Sequence, residues 1–291
     1  MFKLAGIRLK NFCGYRDTKI RFLDNQNQIQ NINVIFGPNG SGKSSLLKAI
    51  ELASNPYVYK GKDTEKMFRK LTFDRDYNPL IDFIKITDTI NPFEIEGAFD
   101  TEEGMKSIMV TTNGISYCEF PLQSRGYAYS IDADHPTNLM NFQLVEEQTD
   151  IFIDMAKAVY GYECHLDSEM KESYAIKKDQ NKSVVIFNDL IMEKEDAKVH
   201  YKRFSDGEKK IATLLSSLCN PLLFGKSEIV IIDNIDQHLY YKRHALFIEK
   251  VLEHFPEKQF IVTTHSGTLI DHVKQKYGKN HLFDLEKIKE N

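Results

Sequence analysis

The chain has 291 residues, of which 42% are hydrophobic and 27% charged, which is enough for one large α/β domain or two modest ones with buried cores. Its 38 basic and 42 acidic residues give a formal net charge of −4, which argues against a uniformly cationic nucleic-acid binder. No apolar run approaches the ~20 residues of a membrane-spanning helix, and charges near the start interrupt any secretory signal, so we expect a cytoplasmic protein without a membrane partner.

The amino-terminal segment alternates apolar and polar side chains at residues 2–9 and again at 19–23, a pattern that predicts two paired antiparallel strands. Residues 1–21 hold one acid, Asp17, and six basic residues, namely Lys3, Arg8, Lys10, Arg16, Lys19 and Arg21. This local excess fits two interpretations. Either the cations contact the phosphates of DNA, or they keep an edge strand solvated and protect it from aggregation.

The next strand and the helix after it enclose a glycine-rich loop. Residues 32–36 (INVIF) form a short apolar run that stops at Gly37 and Pro38, as a strand buried on both faces does. Apolar spacing predicts a helix from Lys43 to about Ser54. The sequence therefore predicts a strand, a glycine loop and a helix in succession.

The loop, GPNGSGKS at 37–44, fits the phosphate-loop pattern G-x-x-x-x-G-K-[ST] in the context that this pattern requires. Its glycines let backbone N–H groups face the α and β phosphates of a nucleotide, Lys43 can reach the β and γ phosphates, and Ser44 can offer its hydroxyl to Mg²⁺. A turn that only caps a helix would need four specified residue types to meet the right flanks by accident. The predicted nucleotide-binding residues here are Gly37, Pro38, Asn39, Gly40, Ser41, Gly42, Lys43, Ser44 and Ser45.

Residues 55–200 have a different character. The stretches IDFIKITD, FEIEGAF, SIMVTT and GISYCEF are rich in β-forming residues and predict an antiparallel sheet, and residues 144–160 carry helical spacing. No low-complexity linker separates this part from the rest, so we expect a single domain, 1–291, into which 55–200 are inserted as a β-rich and helical lobe. The sequence has no sustained heptad pattern, so it does not predict a coiled coil. The four cysteines lie far apart, which argues against a zinc site or a disulfide framework.

The carboxyl-terminal part alternates helices and strands. The pattern predicts a helix at 206–219, a strand at 228–232, a helix at 239–254, a strand at 259–263 and a helix from Gly267. Such alternation is typical of a mainly parallel sheet. Asp233 directly follows the strand predicted at 228–232, at the carboxyl edge where ligands bind such sheets, so Asp233 is predicted to hold Mg²⁺. A strand that merely ends in a capping aspartate is the alternative.

A second phosphate-binding element is predicted at FSDGEKK. The spacing of Ser205 and Glu208 is that of a capping box, which by itself predicts only the start of a helix. Gly207 adds the close backbone approach that an anion at a helix N-terminus needs.

The segments GPNGSGKSS, FSDGE, VIIDNID and VTTHS occur in this order and resemble the phosphate loop, the signature, Walker B with the D-loop, and the H-loop of ABC-type ATPases. NFCGY, near Asn11, and DNIDQHL further resemble the SMC, RecF and OLD branch. The resemblance covers residues 1–54 and 200–291. It implies an α/β fold, that of an ABC-type P-loop NTPase with a mainly parallel sheet, an N-terminal antiparallel β portion and a small inserted helical and β lobe.

The resemblance also implies a head-to-head homodimer that encloses two ATP molecules, each between one subunit's phosphate loop and the signature, 205–208, of the other. His265 would contact the γ phosphate or orient the attacking water, unless it is only a locally bonded histidine at a strand end. Gln143, ranked ahead of Gln123, would sense Mg²⁺ and water. Asp206 stands where transporter signatures most often have glycine, and its carboxylate must turn away from a phosphate.

One position disagrees with the family. Asn234 stands next to Asp233 where a glutamate is usual, and an amide cannot accept a proton at neutral pH. General-base catalysis contributes about 10²- to 10⁴-fold, so hydrolysis is expected to be slow. Three explanations stay open. Asp236 could assist, although the resemblance makes it the D-loop residue that contacts the partner subunit. Otherwise the chain is a natural long-lived ATP switch, or the asparagine was engineered to trap ATP.

The phosphate loop and the resemblance together imply an ATP- and Mg²⁺-binding ABC-type ATPase with Asp233, Asn234 and His265 at its catalytic centre. By analogy with compact members of that branch, we expect it to regulate a separate effector protein in DNA repair or anti-phage defence. DNA stays a candidate partner. The main alternative is a nucleotide-gated scaffold that does not hydrolyse its structural ATP. A transporter subunit would leave NFCGY and DNIDQHL unexplained, and a phosphate-loop kinase would leave FSDGE and VTTHS unexplained.

Overall fold

The protein is described by a computed structural model that covers residues 2–55, 92–111, 114–119, 128–132, 142–145, 148–177, 180–194, 197–219 and 227–290. Its strands are β1 Phe2–Phe12, β2 Tyr15–Arg21, β3 Ile32–Phe36, β4 Glu94–Thr101, β5 Gly104–Thr111, β6 Gly114–Cys118, β7 Ala128–Asp132, β8 Phe142–Val145, β9 Glu163–Lys177, β10 Gln180–Lys194, β11 Ala197–His200, β12 Ile229–Asp233, β13 Gln259–Thr264 and β14 Leu282–Asp284. Its α-helices are α1 Lys43–Ser54, α2 Thr149–Tyr160, α3 Asp206–Cys219, α4 His244–His254, α5 Gly267–Lys276 and α6 Leu285–Glu290.

An antiparallel sheet in the order β2-β1-β4-β5-β6 contains the amino terminus. The predicted pair of strands at 2–9 and 19–23 is confirmed, but its backbone pairing extends further, to Phe12 opposite Tyr15. Large apolar side chains of β1 and β4, among them Leu4, Leu9 and Phe99, form one core cluster with α1. Packing against this cluster is why the apolar residues of β1 alternate with polar ones.

The basic segment is largely occupied within this sheet. Arg8 donates to both carboxylate oxygens of Asp17 on β2, at 2.8 and 2.7 Å, and Lys10 Nζ lies 3.1 Å from the Glu94 carboxylate. Moreover, β2 is the edge strand, where charged side chains discourage pairing with another chain. These contacts favour the interpretation of the segment as a solvated edge strand over that of a phosphate-binding patch.

A parallel sheet in the order β14-β3-β13-β12-β7 forms the centre of the fold, and all its neighbouring strands run parallel. Successive residues of β12 point to opposite faces. Ile229 and Ile231 pack towards α1 and the antiparallel sheet, whereas Val230 and Ile232 pack towards helices α2 to α5. Burial on both faces explains the continuous apolar run, and the predicted α/β fold with a mainly parallel sheet is confirmed.

A third sheet contains β8, β9, β10 and β11. Strands β9 and β10 form a long antiparallel hairpin, paired from Glu163 opposite Glu193 to Lys177 opposite Gln180. Residues 55–200 thus contribute β4 to β6 to the antiparallel sheet and β7 to the parallel sheet, while β8 to β11 form a sheet of their own. The extent of an inserted lobe stays a prediction.

Two predicted helices start later than their spacing indicated. Leu144 lies in β8, opposite Val185, because its side chain is buried in the core against neighbouring sheet and helix residues, and α2 begins only at Thr149. The helix predicted at 239–254 begins at His244, after a 3₁₀ turn. Tyr240 has an extended backbone, with φ of −64° and ψ of 127°, which interrupts the predicted helix.

The remaining predicted elements agree within a few residues. The strand predicted at 228–232 runs one residue further and includes Asp233. The stretch IDFIKITD lies outside the described residues. All four cysteines are free thiols. In the described part of the chain, no helix is both long and apolar enough to cross a membrane.

Candidate nucleotide-binding site

The glycine loop connects the carboxyl end of β3 to the first turn of α1. Gly37, Gly40 and Gly42 have φ values of 152°, 78° and 97°, which residues with a Cβ adopt only at a cost. At Gly37 a Cβ would also lie 2.9 Å from the Ser41 Oγ. The backbone conformation of the loop therefore requires glycine, and the sequence signal for a phosphate cradle has a structural counterpart.

Lys43 lies inside this loop. Its Nζ donates to the carbonyl oxygens of Gly37 and Pro38 at 2.9 and 3.1 Å. Burial lowers the pKa of the Lys43 ammonium, against the opposing attraction of Asp233 and Asp236. The charge is thus held by carbonyl dipoles in a partly desolvated loop, where an anionic phosphate would be a stronger partner.

Ser44 and Asp233 meet at the centre of the site, although 189 positions separate them. The Ser44 Oγ donates to one Asp233 carboxylate oxygen at 2.8 Å, and the Thr263 hydroxyl donates to the other. Because β3, β13 and β12 are parallel neighbours, their carboxyl ends lie at one edge of the sheet. This edge carries the two predicted Mg²⁺ ligands together.

The donor set fits Mg²⁺. A hydroxyl and a carboxylate are the hard oxygen ligands that this ion prefers, and it commonly completes its shell with waters and substrate phosphates. Among the described residues no group of three or more His, Cys, Asp or Glu side chains could hold a metal ion by itself.

The signature segment has the predicted capping box. The Ser205 backbone N–H and hydroxyl donate to the Glu208 carboxylate at 2.8 and 2.9 Å, and the Glu208 N–H donates back to the Ser205 Oγ at 3.3 Å. Lys194, at the end of β10, donates to the other Glu208 oxygen at 2.8 Å. Tyr160 donates to the Glu208 carbonyl at 2.7 Å. Two distant elements thus fix the start of α3.

This network also sets the ionisation of Glu208. Burial tends to raise the pKa of its carboxyl group, but hydrogen bonds from Lys194 and Ser205 outweigh burial and bring the pKa below its ordinary value. The carboxylate is therefore charged at neutral pH and available as the cap acceptor.

The D-loop and the H-loop are joined through Asp236. Its carboxylate accepts from the Thr264 hydroxyl at 2.6 Å and from the backbone N–H of His265 at 3.2 Å, and the His265 residue itself is exposed. Asn234 lies two residues before Asp236 and donates its backbone N–H to the Thr263 hydroxyl at 2.8 Å. Asp236 is thus anchored to the strand that carries His265.

The backbone supplies a reason for asparagine at position 234. Asn234 has a φ of 52°, in the left-handed region that asparagine tolerates better than glutamate does. The substitution that removes the usual catalytic carboxylate therefore also suits this turn.

Tyr15 is a site residue that the sequence reasoning missed. Its hydroxyl donates to the carbonyl of Gly42 at 2.9 Å, and the side chain is almost fully buried at 1% exposure. Burial raises the pKa of the Tyr15 phenol, so it stays protonated and donates. The sequence marked this region only through NFCGY, whose turn includes left-handed residues at Asn11 and Cys13.

His244 is a second missed residue, and no sequence pattern marked it. Its Nε2 lies 3.0 Å from the Leu239 carbonyl, which can only accept, so Nε2 carries the proton. Its Nδ1 then accepts from the Ser266 hydroxyl at 2.7 Å, and Ser266 in turn caps α5 by accepting from Leu269 N–H at 3.2 Å. This buried chain joins the segment after the D-loop to the H-loop.

The two predicted glutamines are not placed at the nucleotide-binding site by the described structure. Gln143 lies in β8, where its backbone is opposite Ile186 in the third sheet, and Gln123 lies outside the described residues. Their role in sensing Mg²⁺ stays a prediction.

The fold and the strand–loop–helix around Lys43 define an ABC-type P-loop ATPase. Residues 3–282 match the family described as "RecF/RecN/SMC N terminal domain", and the chain therefore belongs to this family. Among solved structures it resembles the SMC head bound to the C-winged helix domain of ScpA, with a TM-score of 0.56, 15% sequence identity, and coverage of 93% of this chain and 91% of that chain. This likeness is one of fold.

Two curated relatives are similar in sequence. The Septu protein PtuA of Bacillus mycoides (strain KBAB4) is 23% identical over 286 residues, which cover 89% of this chain and 38% of the relative. The Retron Vc95 probable ATPase of Vibrio cholerae serotype O1 biovar El Tor is 32% identical over 91 residues, or 28% of this chain and 18% of the relative. The chain thus spans less than half the length of either relative.

Proposed function

We propose that this protein binds Mg·ATP, closes a head-to-head homodimer around two ATP molecules, hydrolyses them slowly and thereby regulates a separate effector protein. The observation that carries the proposal is the 2.8 Å contact between Ser44 of the phosphate loop and Asp233 of the neighbouring strand. It brings the phosphate cradle and the Mg²⁺ carboxylate into one site before any nucleotide is considered.

Binding is assigned to residues 37–45 and to Asp233. Backbone N–H groups of the loop hold the α and β phosphates, and Lys43 exchanges its two carbonyl partners for oxygens of the β and γ phosphates. Ser44 and Asp233 hold Mg²⁺, Asp233 through water, with Gln143 as a further ligand. Mg²⁺ held by these residues would supply neutralisation of the charge on the phosphate oxygens.

Dimer closure is assigned to residues 205–208. These residues form the start of α3, which Lys194 and Tyr160 fix by hydrogen bonds to Glu208. The N-terminal backbone of α3 is therefore preorganised to receive the γ phosphate bound to the other subunit. Gly207 allows the close approach, and Asp206 must face away. A phosphate held between two polypeptides makes ATP the link between them.

Slow turnover follows from Asn234. Its amide can orient the attacking water but cannot accept a proton at neutral pH, and His265 is assigned to contact with the γ phosphate or to orientation of that water. Asp236 is occupied by Thr264 and His265, which weakens its case as a substitute. A rate lowered by about 10²- to 10⁴-fold gives a long-lived closed state, which suits a regulator.

The proposal is tested by the mass of the protein in solution with and without Mg·ATP. Light scattering should give a monomer without nucleotide and a dimer with it. Lys43→Ala should abolish binding of the nucleotide, whereas Ser205→Arg should bind it normally and stay monomeric. An unchanged mass at saturating Mg·ATP, or normal dimers of the Ser205 variant, contradicts the proposal.

A scaffold that does not hydrolyse its ATP is the second candidate, and Asn234 is the observation that favours it. Single-turnover release of phosphate separates the two. Release faster than in buffer supports the ATPase, and release at the buffer rate from protein that still holds ATP supports the scaffold.

Anti-phage defence or DNA repair is the setting that we infer for this activity. The family resemblance of the sequence supports it, as does the similarity to a Septu protein and a retron ATPase. An SMC head bound to a domain of ScpA is a precedent for a separate partner protein. Co-purification of the native neighbour tests this part, and a protein that purifies only as a homodimer with no effector contradicts it.

A further inference from the structure

Two neighbouring tyrosines form an exposed aromatic surface just after the D-loop. Tyr240 and Tyr241 are 56% and 52% exposed, and their rings pack edge to face with centroids 4.8 Å apart. The Lys242 Nζ lies 5.9 Å from each ring centroid. We call Tyr240, Tyr241 and Lys242 the tyrosine patch. Large aromatic side chains this exposed mark interaction sites when they cluster.

The tyrosine patch rests on a rigid support. Leu239 before it is buried, and the Leu239 carbonyl accepts from the buried His244 ring at 3.0 Å. Arg243 N–H closes a turn onto the Tyr240 carbonyl at 2.7 Å. The backbone on both sides is therefore fixed, so contact with another surface orders few additional groups and loses little conformational entropy.

The patch also lies beside the elements to which dimer closure is assigned. His238, two residues earlier, approaches the signature, since its Cβ is 3.6 Å from where a Cβ on Gly207 would lie, and its ring is 3.0 Å from the Lys210 Nζ. On the other side, His244 contacts Ser266 next to His265 at 2.7 Å. The patch is thus continuous with the signature, the D-loop and the H-loop.

We propose that the tyrosine patch is an aromatic anchor of the dimer interface and that a second copy of this chain covers it. This inference rests on the proposed ATP-dependent dimer. Buried tyrosines surrounded by a polar rim are the residues that carry much of the binding energy in protein interfaces. Continuity with the signature and the D-loop favours the second copy over an effector or a nucleic acid, because any surface that approaches those motifs also approaches the patch.

Symmetry makes the expected effect large. Truncation of a buried tyrosine anchor weakens binding by about tenfold or more. A two-fold interface contains each contact twice, so loss of the patch from both subunits should raise the dimer dissociation constant by about a hundredfold or more. Binding of ATP by the monomer should not change, since none of the three side chains belongs to the phosphate loop.

The test compares wild type with the double variant Tyr240→Ser, Tyr241→Ser by sedimentation equilibrium in Mg·ATP. Fluorescence titration with a labelled ATP gives the nucleotide affinity of the monomer. Tyr117→Ser is the matched control, because Tyr117 is also exposed, at 37%, but lies on β6 with its hydroxyl on Glu96. A dimer about a hundredfold weaker or more in the double variant only, with equal ATP affinity, supports the proposal.

A second measurement does not depend on the serine variants folding. A photoreactive benzoylphenylalanine in place of Tyr241 should cross-link to a second copy only when Mg·ATP is present. If wild type forms ATP-dependent dimers that the double variant matches, or if the cross-link goes to an effector or to DNA instead, the patch assignment is overturned and the proposed function stands. If wild type forms no dimer, both are overturned.

Discussion

Tyr15→Phe tests whether the antiparallel sheet positions the phosphate loop. The substitution keeps the ring, which is 1% exposed, and removes only the hydroxyl that donates to the Gly42 carbonyl at 2.9 Å. Gly42 directly precedes Lys43 and has a left-handed φ of 97°, so its orientation affects the lysine and the serine that follow. We expect weaker binding of Mg·ATP with little change in the fold.

The size of the effect follows from the partners of that carbonyl. The Gly42 oxygen also accepts from Leu46 N–H at 2.9 Å, so removal of the Tyr15 hydroxyl does not leave it unpaired. The cost is then that of one ordinary hydrogen bond, about 0.5–1.5 kcal/mol, rather than that of an orphaned buried group. Expressed in the nucleotide affinity, this is a rise of about two- to twelvefold in Kd.

Isothermal titration with Mg·ATP measures the change in Kd. Urea unfolding of the unliganded protein measures whether the lost hydrogen bond also lowers the free energy of unfolding. Tyr117→Phe is the control, because it removes the hydrogen bond to Glu96 at 3.2 Å on the exposed side of the same sheet. If the two variants have the same Kd within error, and Tyr15→Phe loses no stability, then the Tyr15 hydroxyl does not position the loop.

Three further predictions concern the site. Asn234→Glu should raise multiple-turnover phosphate release by about tenfold or more. It should also lower the melting temperature, because glutamate is strained at φ 52°. An unchanged rate with ATP bound would show that the missing base is not limiting. Ser44→Ala loses its bond to Asp233 and should raise the Mg²⁺ concentration needed for ATP binding about tenfold, and titration of ATP affinity against Mg²⁺ checks it, with an identical curve as the refuting result. Glu208→Gln should destabilise the protein by about 1 kcal/mol at pH 7. Because the folded-state pKa of Glu208 is lowered, this stabilisation is present above the ordinary glutamate pKa and is lost as pH falls through the folded-state pKa. Urea unfolding should therefore show that the difference in stability between the variant and wild type shrinks below about pH 4. A difference independent of pH would contradict the role of the carboxylate.

Local patterns in the sequence determined the elements that carry the site. The alternation of apolar residues in β1, the apolar runs of β3 and β12, and the spacing of α1 and α3 depend on short-range periodicity, so they are readable without tertiary contacts. The capping box at 205–208 is likewise local, since its donors and acceptors lie within one turn. Element ends were less readable where a tertiary contact overrode local spacing, as in the burial of Leu144 in β8.

The phosphate loop, the order of the motifs and the class of fold were therefore predictable from short stretches of the chain. Contacts between distant groups became visible in the folded chain: the Tyr15 hydroxyl on Gly42, Ser44 on Asp233, and the bond between His244 and Ser266. Each of these bonds joins distant segments of the chain, so its geometry depends on strand order and helix packing, which no short stretch of sequence encodes.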